Sequence, residues 1–440
     1  MTAAGAGGVS GDEHVFRTLL LNTLVTGVTS SFVWFALTFW VYLETRSVVA
    51  TGVIGGAFGI SSALLGPAYG TFVDRHRKHA AMVAATALSA GCFAAATVLF
   101  LAVDAGDVLR LRSPWFWMLV GLTLVGSVAG QMRGIALSTC VTLLVPDERR
   151  DRANGLVGTI TGVAFAITSV FSGLVIGRLG MGWALYGSLA LTVAALAHLL
   201  TIRFSEPAPA TTEGEVGPRI DIRGAVEAIR AVPGLTMLIL LAAFNNLLLG
   251  VFLALMDAYG LSLVSVETWG LLWGFISLAM IAGGLIVARF GLGPVPVRIV
   301  ILGNLVNWVI CATFTLRPSI VPLVVGTFIW LLLMPVIEAA EQTVLQRSIP
   351  YERQGRVFGF AQMVENSASP LVAFFIGPLA EVFFMPFMTD GGGADWIGGW
   401  FGTGPERGIA LVFTLAGLIG IGVTLLARAS GAYRRLLPGT

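Results

Sequence analysis

The sequence predicts an all-α membrane protein whose twelve transmembrane helices form two parallel six-helix bundles. Three observations lead to this fold class: long apolar blocks, a one-sided distribution of basic residues, and an internal repeat. Of the 440 residues, 56% are hydrophobic and 11% are charged. A soluble domain carries about 25% charged residues. The chain therefore has too little charge to cover the surface of a soluble protein.

The apolar residues are grouped in blocks long enough to cross a bilayer as helices, which takes about 20 residues each. The strict alternation of transmembrane β-strands is not found in these blocks. Frequent glycines, 55 in all, let membrane helices approach one another closely. The predicted spans, numbered 1 to 12, are 16–42, 49–72, 79–103, 115–145, 154–177, 181–203, 236–264, 268–290, 297–316, 319–346, 357–383 and 407–429.

The basic residues indicate the orientation of the chain. With the N-terminus on the inner side, 19 of the 26 Lys and Arg residues fall on that side and six on the outer side. Arg133, within span 4, is the remaining one. Because Lys and Arg are retained in the cytoplasm, the pattern predicts a multi-pass protein of the inner (plasma) membrane with both termini cytoplasmic.

An internal repeat relates the two halves of the chain. Five residues after span 4 recur after span 10 at an offset of 204, and a second match near the start of each half has an offset of 223. Each half has six spans, so the two halves have the same orientation in the membrane. The first match pairs Pro146, Glu148, Arg149, Arg152 and Gly155 with Pro350, Glu352, Arg353, Arg356 and Gly359; the second pairs Asn22, Leu24, Gly27 and Val28 with Asn245, Leu247, Gly250 and Val251.

These halves define three predicted regions: an N-terminal six-helix bundle (1–203), a cytoplasmic linker (204–235) and a C-terminal six-helix bundle (236–440). The linker begins with a stretch rich in Pro, Ala, Thr, Glu and Gly that is typical of a flexible tether. Residues 221–231 then follow a helical period, with apolar and charged residues on different faces. We expect a short helix that lies on the inner leaflet.

The loop between spans 2 and 3 contains a glycine, an acid and a basic cluster. It runs from Gly70 through Asp74-Arg75 to Arg77-Lys78. Asp74 lies at a helix end, where a carboxylate accepts hydrogen bonds from backbone N–H groups and pairs with Arg. Gly70 permits close contact between helices. The alternative is a basic loop that only fixes the membrane topology.

This loop, following the second of twelve spans, resembles the signature loop of the major facilitator superfamily. The resemblance implies the major facilitator fold, with spans 1, 4, 7 and 10 lining a central cavity, and a monomer that carries small molecules. It also implies that Gly70, Asp74, Arg75, Arg77 and Lys78 form a conformational latch. The second half has no acid between Gly284 and Arg289, so any latch is asymmetric.

A second segment resembles the drug–proton antiporter branch that includes macrolide and siderophore exporters. The segment is Arg152-Ala153-Asn154-Gly155, at the start of span 5. The same span departs from the antiporter pattern, because it has no Gly-Pro pair in its middle. That departure counts more against antiport than against transport in general.

Among the charged residues inside the predicted spans, five stand out: Arg133, Asp257, Glu338, Glu341 and Glu365. A charge at the bilayer centre costs about 2.5–3.5 kcal/mol on the insertion scale, so each one is a functional hypothesis. Glu338 and Glu341 are three residues apart and share a helix face. Glu365 lies at a similar depth on span 11. We expect these residues to take part in proton coupling and in the substrate cavity.

The repeat places Arg133 opposite Ile337, next to Glu338, so these two charges are expected to face one another across the cavity. A substrate that displaced the arginine would then change the proton affinity of the carboxylate. The alternative is that Arg133 and the glutamates pair only to stabilise packing. Asp257 lies near the outer end of span 7, as a gate residue or as a charge reaching the membrane surface.

Aromatic and amide residues within the spans leave two interpretations open. A pocket for a large amphipathic molecule is one interpretation, but tryptophans are also enriched at membrane interfaces. The aromatic residues concerned are Trp34, Phe35, Trp40, Trp273, Trp308 and Trp330. Four amides are expected to hydrogen-bond between helices: Asn245, Asn246, Asn304 and Asn307. In the outer loop, Trp396, Trp400 and Phe401 are expected at the interface.

Three functional classes follow from these features. The first is secondary active transport, with proton-coupled export of a lipophilic drug-like molecule or secondary metabolite by alternating access. The second, a lipid-handling or uptake transporter on the same fold, stays open because one fold carries many cargoes. The third, a membrane enzyme, is disfavoured, since the chain has no phosphate-binding Gly-Lys-Ser/Thr loop and no HExxH motif. We expect an amphipathic small-molecule substrate, protons and the bilayer as partners, with no cofactor, metal or nucleic acid.

Overall fold

The computed structural model describes residues 4–45, 48–108, 110–206 and 220–437. These residues contain twelve helices long and apolar enough to cross a membrane, which confirms the predicted number, and no strands. Spans 1 to 6 are Ala4–Thr45, Val48–Arg75, Lys78–Ala102, Pro114–Leu144, Arg150–Arg178 and Met181–Thr201. Spans 7 to 12 are Leu235–Leu263, Val266–Phe290, Pro296–Thr313, Ile320–Ser348, Gln354–Leu379 and Pro405–Ala429.

Local sequence explains where several spans begin. Spans 4, 9 and 12 begin at Pro114, Pro296 and Pro405, which occupy the first helical turn, where a missing N–H costs nothing. Ser265 accepts a hydrogen bond from the Thr268 N–H and caps span 8. The short loops that result hold consecutive spans antiparallel.

Packing between the two halves differs at the two ends of the spans. We call the end that carries Arg75 and Ser348 the inner side, which the basic residues predict to be cytoplasmic. There, one continuous core joins buried residues of both halves, such as Val73 and Val357. Towards the outer side, the cores separate into one of the first half, around Phe116, and one of the second half, around Phe413. The two halves therefore share one core at the inner side and have separate cores towards the outer side.

The linker helix, Ile222–Ala231, forms where the sequence predicts it, but its environment differs from the expectation. Ala225, Ala228 and Ile229 are buried, whereas Ile222 is exposed. The helix packs on span 11, so its small face is covered by protein. The expected placement on the inner leaflet is corrected in this respect, because alanines fit a helix–helix contact better than a lipid surface. Part of the predicted tether, residues 207–219, lies outside the described residues.

The outer loop between spans 11 and 12 forms a second short helix, Gly392–Phe401. Trp396 and Trp400 are exposed on it, as an interfacial position requires. Phe401 is instead buried, and the guanidinium of Arg407 lies 4.2 Å from the centre of its ring. The interfacial assignment is thus wrong for Phe401, because this side chain covers a buried cation.

Candidate functional site

A central cavity of about 340 Å³ lies between the halves, above the closed inner side. At its wall, Asn154 of the first half donates hydrogen bonds to Thr343 and Gln346 of the second half, both at 2.9 Å. Gln362 donates to Gln131 across the same interface, also at 2.9 Å. The polar residues that line the cavity are Thr23, Gln131, Ser138, Asn154, Thr161, Glu338, Gln342, Gln362, Glu365 and Asn366.

Three predicted glutamates come together on the second-half side of this cavity. Glu338 is exposed to the cavity, Glu365 is half-buried and Glu341 is buried. Glu341 and Glu365 interact directly, side chain to side chain. The spacing of three residues places Glu338 and Glu341 on one face of span 10, and span 11 supplies Glu365. The structure therefore gathers acids from two spans into one group that begins at the cavity wall.

A proline precedes this group in span 10. Pro335 lies inside the helix and removes one backbone hydrogen bond just before Glu338. Gly158 of span 5 and Gly283 of span 8 pack against its ring. The acidic group consequently sits next to a weakened point of its helix, where spans from both halves meet.

Arg133 does not pair with Glu338, contrary to the expectation. Its side chain is buried and donates hydrogen bonds to Asn22, Thr23 and Thr86, all in the first half. No ion pair with a carboxylate is found for it among the described residues. Equal depth in the repeat did not specify the rotation of span 4 about its axis, and this rotation turns the guanidinium towards spans 1 and 3.

The charge of Arg133 instead faces a cavity of about 430 Å³ within the first half. Trp34 and Phe35 line it, and Trp34 stacks on Phe58 with ring centres 4.3 Å apart. These two residues therefore lie at a pocket. Hydroxyl groups of Thr26, Ser30, Ser31 and Ser127 line the remaining wall.

Asp257 lies away from the central cavity, towards the outer end of span 7. One of its oxygens, Oδ1, accepts hydrogen bonds from the indole Nε1 groups of Trp269 at 2.9 Å and Trp273 at 3.2 Å. Both tryptophans belong to span 8. The structure thus places this acid as a tie between two neighbouring spans of the same half.

Asp74, at the inner end of span 2, contacts the first turn of span 11. Its carboxylate accepts hydrogen bonds from the Gly355 N–H at 2.7 Å, the Arg356 N–H at 2.9 Å and the Arg356 side-chain Nε at 2.9 Å. Arg356 also pairs with Asp221 at the start of the linker helix. A buried carboxylate at a helix N-terminus is favourable because the N–H groups there lack other partners. This contact connects the two halves at the inner side.

The other residues of the predicted latch divide into two groups. Lys78 is buried, donates to the Val73 carbonyl at 2.8 Å and lies 5.0 Å from the ring centre of Tyr351, in the second half. Arg75 and Arg77 are exposed at the inner surface. Gly70, Asp74 and Lys78 therefore contact the other half, while the two arginines are placed where a topology signal would be.

A second contact at the inner side joins spans 5 and 8. Asp151, in the first turn of span 5, accepts a hydrogen bond from the backbone N–H of Leu292 at 2.8 Å. Gly291, between span 8 and Leu292, has a φ of +74°, and a Cβ there would lie 2.6 Å from the Asp151 carboxylate. Glycine is therefore required at this approach.

A match to a family model shows which protein family the chain belongs to. The model of the Major Facilitator Superfamily matches residues 19–373. The chain belongs to the Major Facilitator Superfamily. It is a multi-pass membrane transporter, since this family and fold are those of transporters and not of enzymes.

Two relatives of known name show weak similarity in sequence. Macrolide efflux protein A of Streptococcus pyogenes is 23% identical over 163 residues, which cover 36% of this chain and 37% of that protein. Human solute carrier family 67 member A1 is 24% identical over 256 residues, covering 55% of this chain and 56% of that protein. The chain thus matches only about a third to a half of the length of these relatives.

Solved structures of the superfamily match over nearly the whole chain. The human organic anion transporter MFSD10 (TETRAN) aligns with a TM-score of 0.67 at 14% identity, covering 94% of this chain and 99% of that one. A bacterial homologue of the iron transporter ferroportin, in an outward-facing state, aligns with a TM-score of 0.70 at 18% identity, covering 94% and 100%. At these identities the likeness shows the fold alone.

Sequence reasoning missed three residues of this transporter's inner contacts: Asp151, Asp221 and Arg356. A signal for Asp151 was present in the repeat, which aligns it with Gly355 at the offset of 204. Each of the two positions opens a span that packs against the other half. Comparing which of them carries the acid would have indicated a second contact.

Proposed function

We propose that this protein is a proton-coupled exporter of a lipophilic drug-like molecule or secondary metabolite, acting as a monomer by alternating access. The observation that carries the proposal is the group Glu338, Glu341 and Glu365, which reaches from the central cavity into the second half. We place the protein in the inner (plasma) membrane with both termini in the cytoplasm, as the distribution of basic residues predicts.

The acidic group is suited to carrying a proton. Two carboxylates in direct contact repel strongly when both are charged, and one proton held between them removes that repulsion. Glu341 and Glu365 are such a pair, and Glu338 connects them to the cavity. A further cavity of about 230 Å³ lies within the second half, beside these acids, and no Lys or Arg is among the residues that line it. A proton is therefore the positive charge that neutralises these carboxylates when no substrate occupies the cavity.

The inner contacts supply the conformational part of the cycle. Asp74 with Gly355 and Arg356, and Asp151 with Leu292, hold the halves together at the inner side. Both contacts consist of a few hydrogen bonds and can form or break as units. In the proposed cycle this arrangement is the outward-facing state, which releases the cargo and takes up a proton from outside.

Two features support export of a drug-like cargo. One is the partial similarity to a protein named for macrolide efflux. The other is the pair of cavities beside the central one, whose walls combine tryptophans with hydroxyl and amide groups. Pockets for amphipathic molecules have this composition, with apolar walls and a few orienting polar groups.

The test is transport by the purified protein in inside-out vesicles with an acidic lumen. Wild-type protein should accumulate a fluorescent lipophilic substrate, and a protonophore should abolish the accumulation. Glu338→Gln should abolish proton-driven accumulation while the protein remains folded, because glutamine cannot pass a proton between the cavity and the Glu341–Glu365 pair. Glu148→Gln, at the exposed inner surface, is the matched control. Unchanged accumulation by Glu338→Gln would refute the proton-coupling role.

Vesicles of opposite orientation decide between export and the alternative of uptake or lipid handling. Export predicts accumulation in inside-out vesicles, and uptake predicts it in right-side-out vesicles under the reversed gradient. Redistribution of a labelled lipid between leaflets, with no accumulation of solutes, would favour lipid handling and contradict the export proposal.

A further inference from the structure

The central cavity, of about 340 Å³, adjoins the first-half cavity, of about 430 Å³, at Thr23, Gln131 and Gly134, which line both. We call this place the junction. Thr23 belongs to span 1, and the other two residues belong to span 4. Gly134 leaves the junction open, since a Cβ there would meet no atom within 4 Å. A molecule in the central cavity can therefore extend through the junction into the first half.

The side-chain amide of Gln131 is held in one orientation by the second half. Gln362 Nε2 donates a hydrogen bond to Gln131 Oε1 at 2.9 Å, and Gln362 Oε1 is buried without a partner. The reverse orientation of both amides would place the NH₂ group of Gln362 at that buried position. Two unpaired N–H donors there are less favourable than one unpaired oxygen. The oxygen of Gln131 is therefore the occupied end of its amide, and the NH₂ group is the free end.

The free NH₂ group of Gln131 is accessible from the junction. Gln131 Nε2 makes no hydrogen bond within the described part of the chain, and it is not one of the buried unpaired atoms. Gln131 is half-buried and lines both cavities. Its N–H bonds are therefore available to a molecule that lies at the junction.

Thr23 presents the same kind of group. Its Oγ1 accepts a hydrogen bond from the Arg133 guanidinium at 3.2 Å. A guanidinium only donates, so this contact occupies a lone pair of the hydroxyl and leaves its O–H free. That O–H donates to no residue that the structure describes. Both polar side chains of the junction thus have an oxygen engaged by the protein and a donor available.

An uncharged acceptor suits the junction better than an anion. Arg133 is only 3% exposed and directs its donors at first-half side chains, so a cargo does not reach its charge. Glu338 and Glu365 line the same central cavity and would repel an anion. Trp34 and Phe35 supply an apolar wall on the first-half side. A carbonyl or ether oxygen on a lipophilic body matches these surroundings.

We propose that the junction binds a carbonyl or ether oxygen of the cargo, with Gln131 and Thr23 as its donors. Gln362 is the positioning residue, since it holds the Gln131 amide with the NH₂ group towards the cargo. The substrate class is therefore a lipophilic molecule with an uncharged hydrogen-bond acceptor, an inference that rests on the proposed export function. A cargo N–H group is disfavoured because the protein already occupies the oxygen of Gln131.

Three probes of similar shape test the proposal: fluorenone carries a carbonyl oxygen, carbazole an N–H group, and fluorene neither. Equilibrium dialysis against nanodiscs with and without the protein measures binding after partition into lipid is subtracted. Gln131→Met should weaken fluorenone binding about fivefold, the effect of one lost hydrogen bond, and leave fluorene binding within about twofold. Thr23→Val should have the same selective effect.

The control is Thr201→Val, at the exposed inner end of span 6, which should change the binding of none of the probes. Two junction variants are used so that failure of one to fold leaves the other. Fluorenone affinity within about twofold of wild type in each folded junction variant would overturn the proposal. An equal loss of fluorenone and fluorene would also overturn it, because a lost hydrogen bond affects only the carbonyl probe.

Gln362→Met tests the positioning role. Without the donor of Gln362, the Gln131 amide can turn either end towards the junction. Carbazole should then bind about fivefold more tightly than to the wild-type protein, because the oxygen of Gln131 becomes free to accept its N–H. In Gln131→Met, which has no such oxygen, carbazole should gain nothing. Equal weakening of all three probes in Gln362→Met, or unchanged carbazole binding, would refute the positioning role.

The outcome is separable from that of the export proposal, since dialysis uses no proton gradient. Selective loss of fluorenone binding in the junction variants, with no proton-driven transport by the wild-type protein, would support the junction and refute export. Proton-driven export together with unchanged fluorenone binding in these variants would do the reverse.

Discussion

Asp151 in span 5 accepts a hydrogen bond from the backbone N–H of Leu292, just beyond span 8, whereas the related contact has its acid on the opposite partner. In that contact, Asp74 at the end of span 2 binds the N–H of Gly355 at the start of span 11. The repeat makes residues 151 and 355 equivalent. The acid of one contact thus occupies the position that a glycine has in the other.

This exchange explains how the inner side closes although the second half has no acid between spans 8 and 9. In each contact a carboxylate of one half accepts a backbone N–H of the other half, next to a glycine that allows the short distance. Either partner can supply the carboxylate. The latch is therefore asymmetric in sequence, as predicted, but a contact of this kind closes the inner side at both pairs of spans.

Asp151→Ala should weaken the inner closure. It removes a charge-assisted hydrogen bond worth about 1.5–3 kcal/mol and leaves the Leu292 N–H unpaired. The ratio of closed to open molecules should fall by roughly 10- to 100-fold. Double electron–electron resonance between labels at Glu148 and Arg289, both exposed, measures the change in distance.

The control for this variant is Asp107→Ala, which breaks an ion pair with Arg110 within the first half on the outer side. Its distance distribution at the inner side should match that of the wild-type protein. A wild-type distribution for Asp151→Ala as well would show that the contact does not hold the inner side closed.

Gly70→Ala should prevent tight closure between spans 2 and 11. A Cβ at this position would lie 2.2 Å from the Gly355 carbonyl oxygen, so the two backbones must move apart. We expect at least a tenfold loss of transport rate, because the Asp74 hydrogen bonds form only at short distance. Gly91→Ala in span 3, whose Cβ meets no atom within 4 Å, should transport normally. Equal rates for the two variants would contradict the requirement for glycine.

The sequence predicts the fold well because hydropathy and charge act on whole segments. Twelve apolar blocks of this length predict twelve spanning helices, and spacing alone placed Glu338 and Glu341 on one face. The contacts between the two halves could not be predicted from the sequence in this way. Asp74 binds residues 281 and 282 positions further along the chain, and no local pattern specifies such a partner.

Arg133 shows the same limit within a single span. Its depth could be estimated from the chain, but the direction of its side chain depends on the rotation of span 4, which is set by packing against spans 1 and 3. The amides Asn246 and Asn304 differ from the expectation for a similar reason, since a carbonyl four residues back was available to each. Sequence periodicity indicates which residues share a helix face, but it does not indicate which residues that face contacts.

Arg133→Met should destabilise the first half. The change leaves Asn22, Thr23 and Thr86 without the guanidinium that they bind, at about 1 kcal/mol for each lost hydrogen bond. We expect a loss of about 2–4 kcal/mol in the free energy of unfolding, measured by thermal unfolding in detergent. Arg77→Met, at an exposed position, should change stability by less than about 0.5 kcal/mol.

Arg133→Lys separates charge from hydrogen bonding. Lysine keeps the positive charge but cannot reach three partners with a planar fork. If Arg133 ties spans 1, 3 and 4 together, this variant should lose most of the stability that Arg133→Met loses. Wild-type stability in both variants would mean that the three hydrogen bonds do not contribute.

Asp257 offers a test between the gate that its sequence position left open and the structural tie that its hydrogen bonds indicate. Asp257→Asn keeps an oxygen that can accept from the Trp269 and Trp273 indoles, whereas Asp257→Leu removes the acceptor. A structural tie predicts that the asparagine variant transports within about twofold of wild type. It also predicts that the leucine variant loses roughly 1–3 kcal/mol of stability, since the buried indole of Trp269 is left unpaired. Vesicle transport and thermal unfolding measure the two effects. Loss of proton-driven transport in a stable Asp257→Asn protein would instead assign the carboxylate charge to gating, because that substitution removes the charge and keeps the acceptor.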